Sequence, residues 1–287
     1  MNIKMGKEEP IQSVFLDIDG TLLNPNHELS DENIATVRKL REIYSIPVYL
    51  ISARPPSGIR EYYDKLGLNT PFTAYNGAIT GSFTEGLNFT AERNVRISSF
   101  FVPDLWKESE LFPFTFCIYE GNTLYVKDLE NIHAQREKRL THCNLELLDI
   151  DFLSQTWKLN NSGPHKIQCI GRFEEVNPFL DIIKAKNYAS ELHIKQSGDL
   201  NFEITHFGAT KEDAVKSISE KTAIPLEEIM ALGDNYNDVA TLNMVGIGIA
   251  MGNAPQEILD QVKIHTSRNT ENGVAEALKK YFPKLTQ

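Results

Sequence analysis

A short apolar run, Val14-Phe-Leu16, ends in two aspartates separated by one residue, Asp17 and Asp19, followed by Gly20 and Thr21. A second acidic group lies far along the chain, in Leu232-Gly-Asp-Asn-Tyr-Asn-Asp238. Between them come Ser52 after Val48-Tyr-Leu-Ile51, Asn76 after Phe72-Thr-Ala-Tyr75, and Lys211. Carboxylates can attack, carry protons or hold a metal, and hydroxyl, amide and ammonium groups can hold an anion. Two carboxylates about 4 Å apart repel by roughly 4 kcal/mol at an effective dielectric of 20, so three or four gathered in one place need a bound cation. All-oxygen donors beside a small anionic substrate point to Mg²⁺.

Whether these residues meet depends on the elements that carry them. All but Lys211 follow a short β-prone run that ends in a turn, which reads as a buried strand. Ser30 is a candidate N-cap with Asp31 and Glu32 behind it, and Ile34, Val37, Leu40 and Tyr44 follow at helical spacing up to Pro47. A further helix covers about 59–66. Strands alternating with helices through short loops argue for a parallel sheet, and the strand at 72–75 reads as its third member. If the strands are parallel and adjacent, their polar carboxyl ends converge on one crevice.

After Gly81 the rhythm changes. Segments 114–120 and 123–127 flank Gly121-Asn122 and read as an antiparallel hairpin. A polar helix follows at about 129–140, then a strand at 166–171. Asn177-Pro178 reads as a helix start with proline in its first position, and strands follow at 192–196 and 200–205. From Lys211 the helix–strand alternation returns: helix to 221, strand 229–232, helix after Asn237, strand 247–251, helix after Pro255, strand 263–266 and a last helix from about 272. The fold class is α/β, a doubly wound parallel-sheet core interrupted by an α+β insertion.

At 287 residues the chain is near the size at which one hydrophobic core gives way to two. Its net charge of −10 disfavours bare nucleic acid or an anionic membrane surface as partner, though not a phosphorylated substrate. Cys117, Cys143 and Cys169 are widely spaced, and read as small hydrophobes in a reducing compartment. The first twelve residues are mixed and charged, without a signal-length apolar run, so a cytoplasmic protein is expected. His142, His165 and His206 read as surface or hinge residues, and Trp106 and Trp157 as core of the insertion.

These motifs, in this order, resemble those of the haloacid dehalogenase superfamily. Asp17-Ile-Asp-Gly-Thr21 matches its first motif, Leu50-Ile-Ser-Ala-Arg-Pro55 its second, Gly208-Ala-Thr-Lys211 its third and Gly233-Asp-Asn-Tyr-Asn-Asp238 its fourth. Asn76-Gly-Ala78, Glu203-Ile204 and Ala250-Met-Gly-Asn253 are similar to accessory signatures of the Cof-type branch, whose α+β cap (type IIB) lies between motifs two and three. The resemblance implies a core domain of residues 1–82 and 206–287, a cap of 83–205, and Mg²⁺-dependent hydrolysis of small phosphate monoesters. It makes Asp17 the nucleophile and Asp19 the general acid and base. Asp17, Asp234 and the backbone carbonyl of Asp19 would hold Mg²⁺, with Asp238 in support. Ser52, Lys211, Asn237 and the backbone N–H groups of Ile18 and Ala53 would hold the phosphoryl oxygens, while Thr21 braces the loop. Two residues depart from the pattern: Ala53 stands where glycine is usual, and Glu212 follows Lys211 where glycine is frequent. A sugar phosphate, nucleotide or phosphorylated cofactor is the implied substrate, with no obligate protein partner. A phosphotransferase or mutase using the same Asp17 is the near alternative, and a phosphometabolite sensor that kept the fold is a more distant one.

Overall fold

The computed structural model describes residues 11–198 and 200–286. The chain opens with β1 (Ser13–Leu16), α1 (Asp31–Tyr44), β2 (Val48–Leu50), α2 (Ser57–Lys65), β3 (Phe72–Ala74), β4 (Ile79–Phe83) and β5 (Phe89–Asn94). Its middle holds α3 (Val102–Ser109), β6 (Thr115–Glu120), β7 (Thr123–Val126), α4 (Ile132–Thr141), β8 (Asn144–Leu147), α5 (Ile150–Leu159), β9 (Lys166–Ile170), α6 (Phe173–Lys184), β10 (Leu192–Gly198) and β11 (Asn201–His206). The last part is α7 (Lys211–Thr222), β12 (Ile229–Gly233), α8 (Val239–Met244), β13 (Ile247–Ala250), α9 (Gln256–Leu259), β14 (Ile264–His265) and α10 (Gly273–Tyr281). Two compact units result. One takes the chain up to Ser52, Glu61–Phe72 and everything from Lys211; the other takes Ala53–Arg60 and Thr73–Thr210.

In the first unit five parallel strands run in the order β14-β13-β12-β1-β2. All four residues of β1 are buried, as a strand paired on both sides and covered on both faces requires. The chain leaves β1 toward β2 on one side and later fills the other side with β12, β13 and β14, so the strand order reverses between β1 and β12. That is where an open α/β sheet leaves a crevice at its carboxyl edge. Phe15 stacks on Tyr49 at 4.6 Å, and both pack with Val215, Ile218, Ile229 and Ala231. Ser30 caps α1, its Oγ accepting the Asn33 N–H at 3.2 Å, and Ser45 ends that helix at a φ of 56°.

In the second unit six strands run β10-β11-β9-β6-β7-β8, antiparallel except for the β7–β8 pair. Ile167 and Cys169 of β9 point into an apolar cluster with Phe116, Ile118, Phe202, Trp157 and Phe179. Lys166 and Gln168, alternating with them, fall on the opposite face. Trp157 lies in that core, as expected of it, and its Nε1 donates to Glu120 at 2.8 Å.

Three readings of the sequence change. The strand at 72–75 does not join the parallel sheet: Tyr75 and Asn76 take left-handed φ values of 51° and 56°, the chain turns, and β4 returns beside β3 in a separate β3-β4-β5 sheet. Helix α6 begins at Phe173, not Asn177, with Pro178 inside it. Glu175 there accepts the Arg172 N–H at 2.8 Å, and the buried stripe Val176, Phe179, Leu180 and Ile183 holds the helix against the donor that proline lacks. His165 is buried, not on the surface.

The His165 ring stacks on Tyr75 at 5.5 Å. Its Nδ1 accepts the Gly121 N–H at 3.1 Å, which leaves the proton on Nε2, 2.8 Å from Asn94 Oδ1. Burial, with the Arg96 charge adding to it, holds this imidazole well below the usual histidine value. The unfolded chain therefore binds a proton below about pH 6.5 that the folded chain refuses, and stability falls as pH drops through that point. Between pH 7 and 5 the wild type should lose stability relative to His165→Gln, with a slope approaching about 1.36 kcal/mol per pH unit. Urea unfolding followed by tryptophan fluorescence measures it, since Trp106 and Trp157 lie in the same unit as His165. Parallel pH profiles for the two proteins would show that the imidazole charges freely in the folded state.

Candidate active site

The register of the central strands aligns Leu16 with both Leu232 and Leu50. The Asp17 N–H donates to the Leu232 carbonyl at 3.1 Å and the Ile51 N–H to the Leu16 carbonyl at 3.0 Å. Asp17, Asp234 and Ser52 thus leave three adjacent parallel strands at nearly the same height, at the point where the strand order reverses. Asp17 is 5% exposed and Ser52 is buried.

Lys211, the first residue of α7, is buried between two of the aspartates. Its Nζ lies 2.5 Å from Asp17 Oδ1 and 2.7 Å from Asp238 Oδ1. The other oxygen of Asp238 accepts the backbone N–H groups of Asp234 at 3.1 Å and Asn235 at 2.9 Å, so this residue shapes the loop that carries Asp234. Gly233 has no room for a side chain, because a Cβ there would fall 2.4 Å from Asp238 Cγ. Gly20 is constrained twice over: its φ is +80°, and a Cβ would lie 2.1 Å from Asp234 Oδ2. Next to it, Thr21 Oγ1 donates to Asp234 Oδ1 at 3.0 Å.

Asp17, Asp234 and Asp238 bring carboxylate oxygens within 4.8 Å of one another. Burial pushes the Asp17 carboxyl well above the usual range; Lys211 opposes this, and Asp238 and Asp234 add to it. Burial and Asp238 likewise push Asp234 up to about 7, against the Thr21 hydrogen bond and the Lys211 charge. Burial alone would lower Lys211, but Asp17 and Asp238 outweigh it and hold the ammonium above its usual value. Three carboxylates against one ammonium leave a buried excess of negative charge. The oxygen-only donor set fits a hard divalent cation.

The remaining candidates fall in both units, with Ala53 and Asn76 in the second. The Asp19 side chain is 44% exposed, with Oδ1 3.4 Å from His27 Nδ1. Ile18 is buried, and Asn237 sits half-buried in the 234–238 loop. Ala53 takes no left-handed backbone, so the residue standing for glycine carries no φ strain, and its carbonyl lies 3.5 Å from Lys166 Nζ. Glu212 is half-buried in the first turn of α7. Asn76, grouped by sequence with the strand ends, donates to Glu203 at 3.3 Å, and Lys166 holds the other Glu203 oxygen at 2.9 Å. Sequence reasoning missed His27, which no motif singles out, and Asn269, whose contacts lie across the fold. No helix among the described residues is long and apolar enough to cross a membrane, and all three cysteines are free and buried.

Known proteins resemble this chain over nearly their whole length. A putative phosphatase of Haemophilus influenzae is 32% identical over 278 residues, covering 95% of this chain and 99% of the relative. A 5-amino-6-(5-phospho-D-ribitylamino)uracil phosphatase of Bacillus subtilis is 24% identical, covering 94% and 95%. Among solved structures, a sugar phosphatase of haloacid dehalogenase subclass IIB superposes with a TM-score of 0.76 at 21% identity, covering 95% and 99%, a likeness of fold. The family profile matches residues 14–278, and the chain belongs to the haloacid dehalogenase-like hydrolases.

Proposed function

We propose that this enzyme hydrolyses small phosphate monoesters with Mg²⁺, through an aspartyl-phosphate on Asp17. The observation that carries the reading is the buried Asp17 carboxylate held by Lys211 inside a three-carboxylate cluster. Asp17 and Asp234, with the backbone carbonyl of Asp19, would hold Mg²⁺, and Asp238 would brace that set. The bound cation would neutralise charge on the carboxylates and the phosphoryl group.

The steps at this chain's own residues are these. An Asp17 carboxylate oxygen attacks phosphorus, and the bond from phosphorus to the leaving oxygen breaks. Asp19 gives its proton to that oxygen, and then takes one from the water that attacks the aspartyl-phosphate. Phosphate leaves and Asp17 is restored. Ser52, Lys211, Asn237 and the N–H groups of Ile18 and Ala53 would hold the phosphoryl oxygens while charge develops. Because these residues address phosphate and metal alone, we assign the choice of substrate to the cap, residues 83–205. The Bacillus subtilis relative, named for a phosphorylated ribitylaminouracil, supports a small metabolite as substrate.

A panel of phosphorylated metabolites assayed with Mg²⁺ tests this reading. Turnover should vanish in excess EDTA and return when Mg²⁺ is restored; full turnover in chelator would refute it. Asp17→Asn should abolish activity, since the attacking atom is gone and the uncatalysed reaction is among the slowest known. Asn237→Ala should cost about 10²–10³ in rate, the usual loss for one transition-state donor. Similar residual rates for the two variants would remove Asp17 from its role. Asp19→Asn should lose about 10²–10⁴ on alkyl phosphates and less on aryl phosphates, whose leaving oxygen needs little protonation. A steep rise in Mg²⁺ requirement, with equal losses on both ester types, would instead make Asp19 chiefly a metal ligand.

A further inference from the structure

The turn after Asp19 reverses direction so tightly that its carbonyls find few partners in the sheet. Within it the Leu23 N–H bonds back to the Ile18 carbonyl at 3.0 Å. Three carbonyls of this turn are taken by side-chain amides from distant parts of the chain. Asn253 Nδ2 donates to the Gly20 carbonyl at 2.8 Å and Asn269 Nδ2 to the Leu23 carbonyl at 2.7 Å. Asn33 Nδ2 lies 3.4 Å from the Leu22 carbonyl, the weakest of the three. The asparagines are themselves fixed: Asn253 Oδ1 accepts the Asn269 N–H at 2.9 Å, and Asn33 Oδ1 accepts the Ala275 N–H at 3.1 Å. For Asn253 and Asn33 the backbone N–H at one end of the amide settles which atom is oxygen, and so which end donates to the turn.

We infer that Asn253 and Asn269 form a clamp that positions the carboxyl of Asp19, with Asn33 as its third support. The chemistry explains the residue type. An amide donates to a carbonyl while accepting from an N–H, so one side chain ties two loops together; a lysine or a carboxylate can do only one of these. The opposite side of the same turn touches Asp234 through Thr21 Oγ1 and through the bare Cα of Gly20. The turn is therefore held between the clamp and Asp234, and Asp19, one residue before Gly20, is aimed by it. Asn253 and Asn269 are positioning residues: they touch neither substrate nor metal in this scheme. The catalytic half of the inference rests on the proposed proton-transfer role of Asp19.

The test compares full-length wild type with Asn253→Ala, Asn253→Asp and Asn269→Ala. The Asp variant keeps the acceptor for the Asn269 N–H and loses the donor to Gly20, so it isolates the bond to the turn. Hydrogen exchange followed by mass spectrometry should show faster exchange in peptides spanning 17–25, with 229–233 in β12 unchanged. With Mg²⁺, kcat on an alkyl phosphate should fall by about 10²-fold, the scale of a 1 Å misplacement, with less loss on an aryl phosphate and KM nearly constant. Unchanged exchange at 17–25 overturns the clamp. So does faster exchange throughout the core with equal losses on both esters, which would make the asparagines merely structural. Should wild type hydrolyse no phosphate monoester, the proposed function falls, and the exchange measurement still decides whether the turn is clamped. If Asn253→Ala does not fold, Asn253→Asp and Asn269→Ala carry the same readouts.

Discussion

Three aspartates and one lysine share a volume from which water is largely excluded, and much of the first unit serves that arrangement. Burying ionised groups costs several kcal/mol each unless partners offset the loss of hydration. Lys211 offsets part of it for Asp17 and Asp238, and the N–H groups of Asp234 and Asn235 offset more for Asp238. Burial still pushes Asp17 and Asp234 upward against these partners. A divalent cation would reverse that push, because it becomes the largest local charge. The glycines follow from the same crowding: at positions 20 and 233 a methyl group would occupy the space of a carboxylate.

This constraint explains why the site lies where it does in the sheet. Its members come from three places in the chain: Asp17 after β1, Asp234 and Asp238 from the loop after β12, and Lys211 from the start of α7. Parallel pairing of β1 with β2 and β12 brings three strand ends level, and the reversal of strand order there leaves the gap. Lysine reaches in from the start of α7, where the helix dipole also favours anions.

What was legible in the sequence follows from how local each signal is. Asp17-Ile-Asp-Gly-Thr21 and Gly233-Asp-Asn-Tyr-Asn-Asp238 gather their meaning within six residues, and apolar runs before them mark the strands. The core elements were readable for the same reason. Strand β3 was not, because its partner is decided by two left-handed residues at Tyr75 and Asn76, and only the latter is a type that favours them. Pro178 misled because its usual place at a helix start is a preference that the buried stripe of α6 overrides. Helices α3 and α5 and strands β4, β5 and β8 went unread: the α5 sequence shows few of its core contacts beyond Leu153 and Trp157. Asn269 meets Leu23 across 246 positions, and no local pattern announces that.

The pair Asp17 and Asp19 shows how position alone gives one residue type two characters. Asp17 is buried beside Lys211, Asp234 and Asp238. Asp19, beyond the β1 edge, has a side chain 44% exposed and stands beside His27. A nucleophile benefits from the first environment, where a fixed counter-charge holds the attacking oxygen and keeps solvent away. A group that must donate a proton and later recover one benefits from the second. Strand β1 ends at Leu16, and the chain turns at Gly20, whose φ is left-handed, just after the second aspartate. In the proposed scheme the two roles follow from these two surroundings, since the residue type is the same.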